Sequence, residues 1–347
     1  MSQNNRIITF DALRIFAAFA VVCLHTPGLI WYDSFPSVGW DFCCVFLSLV
    51  RWSVPMFVMI SGALFLDLSK NIGIKRIYQK NIVRIVYAYL FWSLVFVILT
   101  PDLCTSIKDV LISILKGPAH LWFLKMLIGL YIIIPLLREI VTKKRIEIYF
   151  LSLSFIVVFV IPTFLEGLSL FNKTFSDILL EGFQTTGLDR VAAFSSYYVL
   201  GHFLYSQSLS RRLRWMFYTA GIASFLIVIS ATFFLSYSAG HPNSFLLDYV
   251  NLFTYFETAA LFVLFKEKVT SFSSATRPII VNVSVCCFGI YLVHPLVKNW
   301  LGKFFIFDPS SITICFMIPL FSLVVFIVSC LLIRIIRYVP YLGKNVV

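Results

Sequence analysis

The sequence predicts an all-α, polytopic membrane protein with about ten transmembrane helices and both termini in the cytoplasm. The composition, the succession of long apolar runs and the lopsided placement of basic residues predict it together. Of 347 residues, 60% are hydrophobic and 13% charged, with mean hydropathy +0.93, whereas an ordinary soluble domain is about 25% charged. A soluble fold of this length has no interior large enough for so much apolar surface. Lipid must solvate much of it, and spanning elements are then helices whose backbone bonds close internally. The alternating pattern of an outer-membrane barrel is not seen.

Apolar runs of roughly 17–25 residues place spans at 8–28, 43–66, 82–100, 120–137, 148–165, 191–206, 215–236, 250–265, 279–298 and 312–334. The sixth and eighth are the weakest. An amphipathic stretch at 107–115 belongs at the membrane surface. The first run contains Asp11 and Arg14 with no small-residue cleavage site after it, so it stays as a helix and is not a signal peptide. Under this division 19 basic residues lie at the termini and in the loops after spans two, four, six and eight: Arg6, Lys70, Lys75, Arg76, Lys80, Arg84, Arg138, Lys143, Lys144, Arg145, Arg211, Arg212, Arg214, Lys266, Lys268, Arg277, Arg334, Arg337 and Lys344. Six lie on the other side: Lys108, Lys116, Lys173, Arg190, Lys298 and Lys303. Positive charge stays in the cytoplasm, which orients the chain and makes 166–190 the one sizeable outer loop.

The same placement excludes nucleic acid as the reason for the net charge of +12. The eight cysteines include the adjacent pairs Cys43–Cys44 and Cys286–Cys287 and lie mostly in or beside apolar runs, which is no disulfide framework. No His/Cys cluster has zinc-ligand spacing, so no metal is expected.

Charges inside spans cost about 2.5–3.5 kcal/mol each on insertion scales, so each needs a reason. In the first span Asp11 and Arg14 are three residues apart and pair along one face. Arg14 and His25 are eleven residues apart, almost three turns, so they share that face about 16 Å apart. The pair either anchors the helix end or serves chemistry. Arg51 lies deep in the second span, near Pro55, which is expected to kink the helix, and Ser61-Gly62, which permits close approach. His120, Trp122 and Lys125 begin the fourth span, His294 ends the ninth, and Glu257 lies in the outer part of the eighth. Orientation thus brings His25, His120 and His294 to one depth on the outer side, around a polar cavity. His202 and His241 receive no role.

Five segments then become familiar in order: FDALRIFAAFAVVCLH (10–25) with its Arg-X10-His pair, RWSVPMFVMISG (51–62), HLWFL (120–124), YIIIPLL (131–137) and GIYLVHPL (289–296). Together they resemble acyltransferase family three, the integral membrane O-acyltransferases of cell-envelope polysaccharides, over essentially the whole chain. The resemblance implies a membrane acyltransferase at the bacterial inner membrane. It implies transfer of an acyl group, usually acetyl, from coenzyme A to a hydroxyl of an envelope sugar. Carried over by position, His25 and Arg14 are the essential residues. The family's Arg-X-X-Arg element after span two survives here as Asn81 and Arg84, with Ala88 in place of the usual proline and Lys80 as a substitute charge. A single domain, 1–347, is expected, without the extracytoplasmic hydrolase-like domain some members carry; transfer is then completed by the chain itself or by envelope polysaccharide assembly proteins.

The chemistry fits. Histidine supplies a base near neutral pH, or carries the acyl group briefly, and Asp11 holds Arg14. Acetyl-CoA is anionic and wants Arg14, Lys80 and Arg84 at a cytoplasmic mouth. A lipid-linked or polymeric glycan meets Arg51, His120, Trp122, Glu257 and His294. The alternative is a secondary transporter or flippase of envelope glycan intermediates; the sequence shows neither an internal two-fold repeat nor matched broken helices.

Overall fold

A computed structural model describes residues 7–70, 72–99, 106–168, 173–185, 188–269 and 272–347. Arg6 lies outside the described residues, as do the side chains of Lys173, Arg190 and Lys344. Every regular element among the described residues is helical. The chain runs α1 (Ile8–His25), α2 (Val38–Ser48), α3 (Ser53–Phe65), α4 (Ile74–Arg76), α5 (Val83–Leu99), α6 (Ile107–Lys116), α7 (Trp122–Thr142), α8 (Lys144–Ser154) and α9 (Ile161–Leu168). It continues through α10 (Lys173–Thr185), α11 (Leu188–Ser206), α12 (Arg211–Ala239), α13 (Leu252–Lys268), α14 (Thr276–Ser284), α15 (Cys287–Gly302), α16 (Ile314–Arg337) and α17 (Pro340–Asn345). π-helical turns join α4 to α5 and α8 to α9, so each pair reads as one span.

Seven helices are long and apolar enough to cross a bilayer, and the α14–α15 pair, bent by 62°, makes up to eight. The protein is a polytopic membrane protein. The two remaining sequence spans, 191–206 and 250–265, are helical but fall short of that test. α13, with 17 residues, is short for a span; for α11 the reason is position. α11 packs against α3, and Tyr197, Tyr198, Val199 and Leu200 are buried around its full circumference. α13 buries Tyr255, Glu257, Thr258, Ala259 and Phe262. A helix surrounded by protein does not have to be soluble in lipid, so hydropathy alone undercounts it.

Glycines set the closeness of α3 and α11. A Cβ on Gly62 would lie 1.8 Å from the Tyr198 carbonyl oxygen, and one on Gly201 would lie 2.0 Å from that of Met59. Backbone meets backbone at both points, as small residues allow in membrane interiors.

Two local expectations are corrected. The second span is broken at 49–52, so Arg51 lies in a turn between α2 and α3 and not within a continuous helix. Pro55 falls in the first turn of α3, where no helical N–H is required, and produces no kink. The Leu49 carbonyl at the break accepts from the Trp52 indole at 2.8 Å. Likewise the third helical stretch starts earlier than the 82 expected, because helix begins at Ile74. Its basic side chains leave hydropathy low while the backbone is already helical.

α6 is a helix over the amphipathic stretch at 107–115. A reciprocal Ser106–Asp109 capping box starts it, and Ile107, Leu111 and Leu115, at i, i+4 and i+8, form an exposed apolar stripe.

Candidate active site

α1 carries the Arg14–His25 axis. Its first turn is held by Thr9, whose hydroxyl donates to the Val269 carbonyl at 2.7 Å. Arg14 Nη1 donates to Asp11 Oδ1 at 3.0 Å. The same Asp11 oxygen accepts from the Ser284 hydroxyl at 2.8 Å. Ser284 ends α14 at the break in the ninth span, and Arg337 donates to the Val285 carbonyl freed there at 3.1 Å. No feature of the sequence announces this break. Asp11 thus ties the arginine to the interruption between α14 and α15, leaving part of the guanidinium exposed.

At the far end of α1, the His25 and His294 rings lie 5.1 Å apart by centroid, and His120 lies 6.0 Å from His294. The three imidazoles expected at one depth are one cluster. Its members are held mainly by backbone. His294 Nδ1 faces the carbonyls of Tyr291 at 2.8 Å and Ile290 at 3.2 Å. Carbonyls only accept, so Nδ1 carries the proton and Nε2 presents a lone pair. Nε2 of His294 and of His120 are buried and meet no partner. The Tyr291 hydroxyl donates to the His120 carbonyl, and Lys298 Nζ donates to the His25 carbonyl at 3.3 Å. A surface cavity of about 420 Å³ is lined by Leu29, Ile30, Asn299, Gly302, Lys303 and Phe307.

Arg51 lies in the turn before α3 and Glu257 on α13. The Arg51 guanidinium sits over the Tyr249 ring, 5.8 Å from its centroid, and Tyr249 stacks on Trp122 at 5.6 Å. Trp122 thus packs against Tyr249 and Phe194. Both carboxyl oxygens of Glu257 and Nε of Arg51 are buried without partners.

Of the residues assigned to coenzyme A, Lys80 is exposed in the π turn before α5. Arg84 Nη2 donates to the Val347 carbonyl at 2.6 Å, and its guanidinium lies 5.7 Å from the centre of the Phe288 ring. The donor set suits phosphate, but an incoming phosphate would have to replace that carbonyl on Arg84.

With this arrangement in hand, comparison with known families is decisive: residues 7–336 match the acyltransferase domain of family three. The chain belongs to acyltransferase family three. It is a membrane acyltransferase, and the transporter reading falls despite the broken ninth span. No curated protein and no solved structure matches this acyltransferase.

Sequence reasoning missed four members of the site. Tyr291 and Lys298 stand at i−3 and i+4 from His294, so the helical period could have found both. Ser284 and Tyr249 gave no signal, because only the α14 break and the loop before α13 bring them in.

Proposed function

We propose that this acyltransferase moves an acyl group, acetyl in the first instance, from acyl-CoA to a hydroxyl of a cell-envelope polysaccharide sugar. The observation that carries the reading is the histidine cluster at one end of α1, with the Asp11-bound Arg14 about three turns away on the same helix. His25 is the group that takes the proton from the acceptor hydroxyl, or that holds the acyl group transiently, with His294 and His120 beside it. Arg14, Lys80 and Arg84 receive the anionic donor, and Arg51, Trp122 and Glu257 receive the sugar. The 19-to-6 division of basic residues supports a reading with the histidine end outside and both termini in the cytoplasm, and the family resemblance supports a bacterial inner membrane. The whole chain acts as one membrane domain, with envelope polysaccharide assembly proteins as its partners.

The test is mass spectrometry of the envelope polysaccharide from cells with and without the gene. A mass difference of one acetyl group is expected. A succinyl difference changes the donor, and identical polysaccharide overturns the reading. Orientation is tested by cysteine labelling. In the connection after α1 Ser34 is buried, whereas Tyr32 is 75% exposed. Labelling of Tyr32→Cys only from the cytoplasm overturns the orientation.

A further inference from the structure

Within α15 a proline, Pro295, directly follows His294. Proline has no N–H, so the Tyr291 carbonyl, four residues back, loses its helical donor. A carbonyl orphaned inside a protein needs another. His294 supplies it: its Nδ1 stands 2.8 Å from the Tyr291 carbonyl and 3.2 Å from that of Ile290. The His-Pro pair thus fixes the tautomer of a ring that is wholly buried. The proton sits on Nδ1 and the lone pair on Nε2, where it meets no partner. A buried acceptor left open costs stability unless something completes it.

Ring separations decide what can complete it. Two imidazoles joined directly by an N–H···N bond have centroids no more than about 5.5 Å apart, one hydrogen bond plus the two ring radii. His25, at 5.1 Å from His294, is within that limit, and His120, at 6.0 Å, is beyond it. α15 also holds the main chain of His25, because Lys298, one turn after His294, donates to the His25 carbonyl at 3.3 Å. Just past His25 the Thr26 hydroxyl donates to the Val22 carbonyl at 3.1 Å and accepts from the Ser322 hydroxyl at 2.9 Å. The end of α1 is therefore fixed from α15 and α16, beside a ring whose open nitrogen can only accept.

We propose that His294 is a positioning residue: its Nε2 accepts from one ring N–H of His25 and so turns the lone pair of the other His25 nitrogen to the acceptor hydroxyl. This rests on the reading of His25 as the base. His25 takes the hydroxyl proton, the hydroxyl oxygen bonds to the acyl carbon, the carbon–sulfur bond breaks, and the thiolate leaves with the proton that His25 gives back. His294 keeps its own proton throughout and steadies the imidazolium, the part a third group plays beside the base of a catalytic triad. Such hydrogen bonds tighten only when substrate is bound.

The test separates the two nitrogens of His294. In His294→Asn the amide nitrogen takes the place of Nδ1 and still donates to the Tyr291 carbonyl, but nothing stands where Nε2 was. In His294→Gln the longer side chain carries an accepting oxygen to the Nε2 position. The purified full chain in detergent is given acetyl-CoA and the envelope polysaccharide of its own cells, and thiol release is followed. His294→Gln should turn over about tenfold or more faster than His294→Asn, the worth of a hydrogen bond to a charged group, at equal KM for acetyl-CoA. A residue that only latches α15 gives the reverse order. The reverse order, or equal rates, overturns the orienting role. Nitrogen NMR of the histidine-labelled chain reads the tautomer without any acceptor and without either variant's activity. Wild type should show a neutral Nδ1–H histidine that His294→Asn lacks, and a His294 ring with its proton on Nε2 overturns the role. No thiol release by wild type, or wild-type release by His25→Ala, sinks the base reading and the orienting role with it. Equal rates in the two His294 variants while His25→Ala is inactive sink the orienting role alone.

Discussion

At one end of the bundle Arg138 donates to the carbonyls of Phe65, Asp67 and Lys70, Lys266 to those of Leu204 and Gln207, and His202 Nδ1 meets Glu147 Oε1 at 2.7 Å. Arg214 pairs with Glu267. At the other end the Nε2 atoms of His120 and His294, both oxygens of Glu257 and Nε of Arg51 meet nothing. Both regions are polar within an apolar molecule, and only the first has its hydrogen bonds closed by the chain. Satisfied groups latch helix ends together. Unsatisfied buried groups persist at a cost to stability that selection tolerates where a ligand completes them. The difference marks the histidine end as the candidate site, although Ser93, Tyr198 and Ser329 are also buried without partners away from it.

The comparison breaks or sharpens under substitution. The largest effect belongs to His25. His25→Ala should insert and purify normally yet lose on the order of 10²–10⁴ in transfer rate, more if the residue carries the acyl group. Near-normal transfer by that protein would remove His25 from the mechanism. Next comes the helix contact between the two ends. Gly62→Ala drives a Cβ into the Tyr198 carbonyl, at the upper end of the roughly 1–3 kcal/mol typical of overpacking, and the yield of monodisperse protein should fall sharply. An unchanged yield would show that α3 and α11 are not in backbone contact.

Arg14 tests the donor side. Arg14→Ala should weaken acetyl-CoA binding by about 1.5–3 kcal/mol, the range for hydrogen bonds to charged groups, while Arg14→Lys keeps part of it. Titration of purified protein reads both, and wild-type affinity in Arg14→Ala assigns the residue to chemistry or helix placement instead.

A paired test sets the two regions against each other directly. Glu147→Ala strands the buried His202 ring and should cost about 1–3 kcal/mol. Glu257→Leu removes oxygens that have no partner and should melt no lower than wild type in detergent. If Glu257→Leu is as damaging as Glu147→Ala, Glu257 belongs to the frame.

The smallest effect is expected at Asp67, outside the spans. Burial raises its carboxyl, but hydrogen bonds from Ser69 and the Lys70 ammonium outweigh that and hold it below the usual carboxylate range. A depressed folded-state pKa contributes stability above the unfolded value, which is lost as pH falls through the folded one. The group is partly exposed, so Asp67→Asn should cost less than about 1 kcal/mol and flatten the acid side of the stability profile.

Sequence alone was enough for the membrane class, the helical architecture, the Arg14–Asp11 pair and the gathering of three histidines. Those follow from hydropathy, from the 3.6-residue period and from the rule that adjacent spans alternate in direction, all properties of the chain in order. The interior roles of α11 and α13, the turn at Arg51, the break between α14 and α15, the placing of Tyr249 on Arg51 and the isolation of Glu257 were decided only in three dimensions. Each depends on which surface meets protein and which meets lipid, and on whether a polar atom finds a partner from a distant helix. A linear sequence records the atom and leaves the partner to the packing.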